Sequence, residues 1–219
     1  MFSDFDWGVI ARSLPFLMDG MWLSLQLTFV AILGGVVFGM LLALCRLSPL
    51  RVMSFAAGSY VNFFRSMPLI LVIFWFYFLV PVVVGRPIGG FHSVLIAFVM
   101  FEAAYYCEII RAGIQSVSRG QIMAGSALGL TYGQSMKEIV LPQAFRNMIP
   151  VLLTQSIIMF QDTSLVYVVG LTDFLTSADL VASRDNRLVE MYSVVAVVYF
   201  VMCLSGSLLV RKLQRNYTI

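Results

Sequence analysis

A charged side chain inside an apolar run is costly. Asp, Lys or Arg at the centre of a spanning helix costs about 2.5–3.5 kcal/mol on insertion scales, so such residues face a cavity, a partner or a path. Arg65 stands in the apolar run 61–84, and its planar guanidinium suits a carboxylate. It can equally pair with an acid or a carbonyl near the end of that run. Gln161, Asp162, Thr163 and Ser164 interrupt the run 148–171. Breaks of this kind expose backbone donors and mark binding sites in several transporter folds. They also supply hydrogen bonds between helices, and both readings stay open. Gln161, Thr163 and Ser164 carry groups for a carboxylate or an amine. Asp162 would repel an anion and suits gating or pairing. Glu108 and Arg111 are three apart on one helical face and can pair. Glu102, near the middle of the run 93–114, is expected to be paired or protonated.

Catalytic and metal chemistry finds no comparable set. There is one histidine, His92, with no H-E-x-x-H pattern and no paired acids at helical spacing within one span. No catalytic residue and no metal ligand is assigned. No G-x-x-x-x-G-K-[ST] phosphate loop occurs, so no ATP or Mg site is expected on this chain. Cys45, Cys107 and Cys203 are odd in number, widely spaced and set in or beside apolar runs. They give no disulfide framework and read as small apolar residues of membrane helices.

The elements that hold these residues follow from composition. Of 219 residues, 60% are hydrophobic and 11% charged, where a soluble domain has about 25% charged. Mean hydropathy is +0.93. A water-soluble enzyme and a disordered chain are both excluded. A spanning helix needs about 20 apolar residues. Five runs qualify, at 21–45, 61–84, 93–114, 148–171 and 191–210. One all-α integral membrane domain over 1–219 is predicted, and any catalytic or receptor domain must sit on another chain. The start lacks a basic segment and carries Asp4 and Asp6, unlike a cleavable signal peptide. Residues 5–18 are mixed and predict a short helix at the membrane interface. Gly34, Gly35 and Gly39 read as close-packing positions. The aromatic run 74–78 faces lipid or a packed interface.

Basic residues concentrate on cytoplasmic loops. With the N-terminus outside, nine of the 14 Lys and Arg fall inside and four outside, with Arg65 in the membrane. Asp4, Asp6, Asp19, Asp173, Asp179, Asp185 and Glu190 fall outside. The N-terminus is therefore predicted periplasmic and the C-terminus cytoplasmic. The net charge of +3 belongs to this topology and implies no nucleic-acid partner.

The longest loop, 115–147, is then cytoplasmic. It is too polar to span and too apolar for an idle linker. Ile122, Met123, Ser126, Ala127 and Leu130 lie at helical spacing, which predicts a short helix near 121–129. Small residues at 124–127 let another backbone approach. Gly129 can end the helix left-handed, and Pro142 can begin or break the next segment. Long ordered loops are usually functional, so a docking helix is favoured over a partnerless hairpin.

These residues resemble the EAA motif of ABC-importer permeases, E-A-A-x-x-x-G, nine residues, then I-x-L-P. Here Met123, Ala124 and Gly125, three residues on Gly129, and nine residues on Ile139 to Pro142 keep that spacing. FFRSMPL at 63–69, YCEIIRAGIQSVSRGQ at 106–121, LPQAFR at 141–146 and QDTSL at 161–165 resemble the polar amino-acid uptake branch. Several runs are most similar to the glutamate/aspartate permeases of Gram-negative bacteria. Two departures stand out: Met123 replaces the motif's Glu, and Gly125 its second Ala.

The resemblance implies a type I importer permease fold in a bacterial inner membrane. It implies a homologous permease subunit, two copies of a cytoplasmic ATPase carrying ATP and Mg, and a periplasmic amino-acid-binding protein as partners. It places ATPase coupling on Gln121, Met123, Ala124, Gly125, Leu128, Gly129, Leu141 and Pro142. It leaves Arg65, Gln161, Asp162, Thr163 and Ser164 as substrate-path candidates. Because Arg65 and the Glu108–Arg111 pair match family patterns across different substrates, structural roles are favoured for them. Glutamate and aspartate are the expected substrates, with glutamine as the alternative. An ion-coupled transporter or channel would leave the loop motif without a role.

Overall fold

The computed structural model describes residues 5–217, so Asp4 lies outside the described residues. The described chain is helical throughout, with no strand. Helix α1 runs Trp7–Leu47. The side chain of Asp6 caps it by accepting from the Gly8 N–H at 2.8 Å. The separate interfacial helix expected over 5–18 is absent: that stretch is the first third of α1. Pro15 does not break it, because Val9, Ser13, Leu17, Gly20 and Ser24 form one buried stripe. At 1.5 Å per residue, the 41 residues extend about 60 Å, twice the hydrocarbon thickness.

The run 61–84 is not one straight span. Helix α2, Arg51–Arg65, and helix α3, Leu69–Val84, meet at 106°. Pro68 lacks an N–H and disfavours helical geometry at Met67, which ends α2. Within α3, residues Trp75–Leu79 form a π turn just before Pro81. The wider turn accommodates the hydrogen bond and ring clash that proline imposes four residues back.

Helix α4, Gly90–Gln115, is the axis of the fold. Its buried Val94, Ala97, Phe98, Ala104 and Cys107 pack into a cluster with Leu27 and Ala31 of α1, Val61 of α2 and Met159 further along the chain. Gly39 of α1 lies against the backbone of Ala103, so the two helices approach closely.

Helix α5, Arg119–Ala127, is short and exposed. Helix α6 then runs without interruption over Tyr132–Val169. It begins at a capping box between Thr131 and Gln134. It passes through a π turn at Met136–Val140 directly before Pro142 and tightens to 3₁₀ at Thr163–Val169. The expected loop 115–147 is therefore shorter than the sequence implied. Pro142 stands in the first turn of the regular α stretch Leu141–Asp162, directly after the π turn, and does not interrupt the longer helix. The helix that carries the apolar run 148–171 begins at 132.

Helix α7, Phe174–Asp185, is capped by Asp173, which accepts from the Leu175 and Thr176 N–H groups at 3.1 Å each. Asn186 ends it with φ 53°. Helix α8 is Leu188–Tyr217. Val9, Leu17 and Met21 of α1, Phe160 of α6, Val181 of α7 and Met191 of α8 form a second core at the end remote from α5. Helices α1, α4, α6 and α8 are each long and apolar enough to cross a membrane, and the bent pair α2–α3 makes a fifth if counted as one span.

Candidate functional site

At the loop end, α5 presents Gln121, Met123, Ala124 and Leu128 to the outside; Met123 is 65% exposed and Leu128 81%. The fixed point of the helix is Gly125, its one buried residue. A Cβ there would lie 2.7 Å from Ser135 Oγ and 3.0 Å from Ile139 Cδ1. Gly125 thus lets α5 lie directly on the π turn of α6. The helix ends in a Schellman motif. Gly129 takes φ +81°, Leu130 N–H donates to Gly125 O and Gly129 N–H to Ser126 O, both at 3.0 Å. Leu141 is half-buried and Pro142 exposed on the first turn after the π segment.

Behind this end lies a cavity of about 360 Å³, with Arg65, Tyr105, Glu108, Ser116, Asn147 and Gln155 in its wall. The guanidinium carbon of Arg65 is 5.4 Å from the Tyr105 ring centroid, a cation–π distance. Arg65 is exposed and makes no ion pair among the described residues. Its positive charge remains available to an anion in the cavity.

Glu108 pairs with Arg111 on its own helix. It also accepts from Arg46 Nη1, at the end of α1, at 2.6 Å. Two half-buried arginines thus share one carboxylate. Deeper in α4, Glu102 is fully buried and its Oε1 accepts from Gln155 Nε2 at 3.0 Å. Gln155 therefore connects the cavity wall to the buried acid.

The group 161–164 lies elsewhere. Gln161 is exposed and donates weakly to Cys203 Sγ at 3.4 Å. Thr163 is buried and donates to Phe160 O at 2.7 Å. Asp162 and Ser164 are half-buried. These residues mark the change from α to 3₁₀ geometry, a tightening of the helix where an unwound break was expected. Arg65 lines the cavity and the 161–164 group does not. Arg46, Tyr105, Asn147 and Gln155 were missed by sequence reasoning. Only Gln155, a polar residue inside an apolar run, carried a signal of its own.

An exposed, anchored helix thus stands beside a largely apolar cavity that carries one unpaired cation, in a domain of several helices long and apolar enough to cross a membrane. The family model for "Binding-protein-dependent transport system inner membrane component" matches residues 35–219. The chain belongs to this family. It is 51% identical over 97% of its length, and 98% of the relative's, to the glutamate/aspartate import permease protein GltK of Escherichia coli. It is 33% identical to the arginine transport system permease protein ArtQ of Bacillus subtilis, over 96% of this chain and 98% of that one. A crystal structure of an amino acid ABC transporter with histidines superposes with a TM-score of 0.90 at 33% identity, covering 96% of this chain and 98% of the other. The chain is a multi-pass permease subunit of an ABC amino-acid importer, a transport component.

Proposed function

We propose that this permease carries glutamate and aspartate across the inner membrane, with its N-terminus periplasmic and its C-terminus cytoplasmic. The observation that carries the substrate is the 51% identity to GltK over nearly both chains. The exposed, unpaired guanidinium of Arg65 on the cavity wall supports a cargo that carries a carboxylate. Glutamine is the second reading, because one carboxylate would satisfy Arg65 as well as two.

In this reading α5 docks on a cytoplasmic ATPase, which holds ATP and Mg. Met123, where the family motif has an acid, and Leu128 offer it apolar contact. The pathway forms between this chain and a homologous permease, two ATPase copies dock below, and a periplasmic binding protein delivers the amino acid. The substrate passes Arg65, while Gln161, Asp162, Thr163 and Ser164 shape the far part of the path. The Glu108–Arg111 pair holds the structure. Purified complex in liposomes, given loaded binding protein and then glutamate, aspartate, glutamine and arginine in turn, tests this. ATPase stimulation by the two acidic amino acids alone is expected. Stimulation by glutamine alone would move the substrate to the second reading, and failure to assemble with an ATPase would overturn the importer role.

A further inference from the structure

The end of the molecule remote from α5 carries a second cavity, of about 300 Å³. Tyr167 from the 3₁₀ part of α6, Leu175, Thr176 and Asp179 from α7, and Tyr192 from α8 line it. Its rim is aromatic and open, with Tyr167 57% and Tyr192 45% exposed. Its acid is Asp179, whose Oδ1 accepts from the Tyr192 hydroxyl at 2.7 Å.

Asp19 and Asp179 have no ion pair among the described residues, and of the two only Asp179 lines the cavity. Arg12 pairs with Asp6, Arg184 with Asp185 and Arg187 with Glu190. Asp173 is spent on capping α7. Asp179 has the tyrosine hydroxyl and, among the described residues, no cation. A half-buried carboxylate between two exposed aromatic rings fits one kind of guest. That guest has an apolar stem to lie along the rings and a cationic head, which gains both a charge-assisted hydrogen bond and the ring quadrupole. Exposed tyrosines around a pocket are also the side chains that dominate binding at protein interfaces.

We propose that this cavity is a docking socket for a lysine or arginine side chain of the binding protein on which this family of transporters depends, with Asp179 as the charge contact and Tyr167 and Tyr192 as its walls. This rests on the reading above, in which the end remote from α5 faces the binding protein. The partner is a protein surface and not a free amino acid: the cavity lies at the helix ends, with an open rim, and holds one acid with no donor set for an α-carboxylate.

The test uses the assembled complex in nanodiscs, titrated with loaded binding protein while ATPase rate is followed. Asp179→Asn is expected to raise the half-maximal binding-protein concentration about tenfold or more, the size of a lost hydrogen bond to a charged group. Asp179→Glu is expected to recover most of it. In Asp179→Lys, stimulation is expected to return when one basic surface residue of the binding protein is changed to Glu. An unchanged titration in Asp179→Asn would overturn the socket while leaving the importer reading intact. Relief of the effect by free lysine, in place of a compensating change on the binding protein, would also overturn it. If Asp179→Asn fails to assemble, Lys→Glu and Arg→Glu scanning of the binding protein against the unaltered permease decides, and absence of any shifted titration counts against the socket. If the unaltered complex is not stimulated at all, the importer reading itself fails.

Discussion

Arg46 and Glu108, 62 positions apart in the chain, meet at 2.6 Å and join the end of α1 to the last third of α4. Arg111 binds the same carboxylate from the next turn of α4. The long first helix is thereby pinned to the axis of the fold at the level of the cavity that Glu108 lines.

Removing the shared acid leaves two half-buried guanidinium groups without a counter-charge. Glu108→Gln is expected to destabilise the chain by about 1–3 kcal/mol, between the exposed and the fully buried cases. Thermal unfolding of the purified complex measures it. Combining it with Arg46→Gln should cost less than the two changes summed. Strict additivity would mean that the pair contributes nothing.

Gly125→Val should lift α5 from α6. The new Cβ would fall 2.7 Å from Ser135 Oγ, and the branched side chain has no room toward Ile139. Loss of ATPase co-purification, with normal membrane insertion, is the expected result. The double variant with Ser135→Gly should recover part of it.

Gly129→Asp acts on the same helix by another route. At φ +81° an L side chain is strained by about 1–2 kcal/mol, and the Schellman end is lost. Uptake should be abolished while the chain still inserts. Full stimulation of the ATPase by the binding protein in this variant would show that the end of α5 is unimportant.

Arg65→Ala should impair uptake of every substrate, because it empties the cation–π contact with Tyr105 as well as the charge on the cavity. Competition uptake with labelled glutamate and aspartate reads this. A change confined to substrate preference would show Arg65 reading the substrate's side chain, beyond the carboxylate that all these amino acids share.

The parts of the fold legible in the sequence are those set by local pattern. The run 93–114 and helix α4, Gly90–Gln115, nearly coincide, because apolar length alone defines a span. The loop helix expected near 121–129 stands at Arg119–Ala127, since its period and its terminal glycine are both local signals. Prolines were harder. Pro68 and Pro142 look alike as letters, yet one ends a helix and the other rides inside one behind a π turn. What separates them is packing beyond the local segment. The Arg46 contact to Glu108 was invisible for the same reason, since no pattern within α1 names a partner 62 positions away. The polar group at 161–164 was found as a group, but which face it turned to could not be read, and it stands apart from Arg65.

Helix α6 is one rod of 38 residues. Its near end is gripped by Gly125 of α5 at the π turn, its middle carries Gln155 against Glu102, and its far end supplies Tyr167 to the outer cavity. At about 1.5 Å per residue it is a shaft of nearly 60 Å. A twist applied at one tip is delivered to the other without a joint between them, except at the π turn, where the ladder is loosest. A movement of α5 against the π turn therefore has a continuous helical route to the outer cavity.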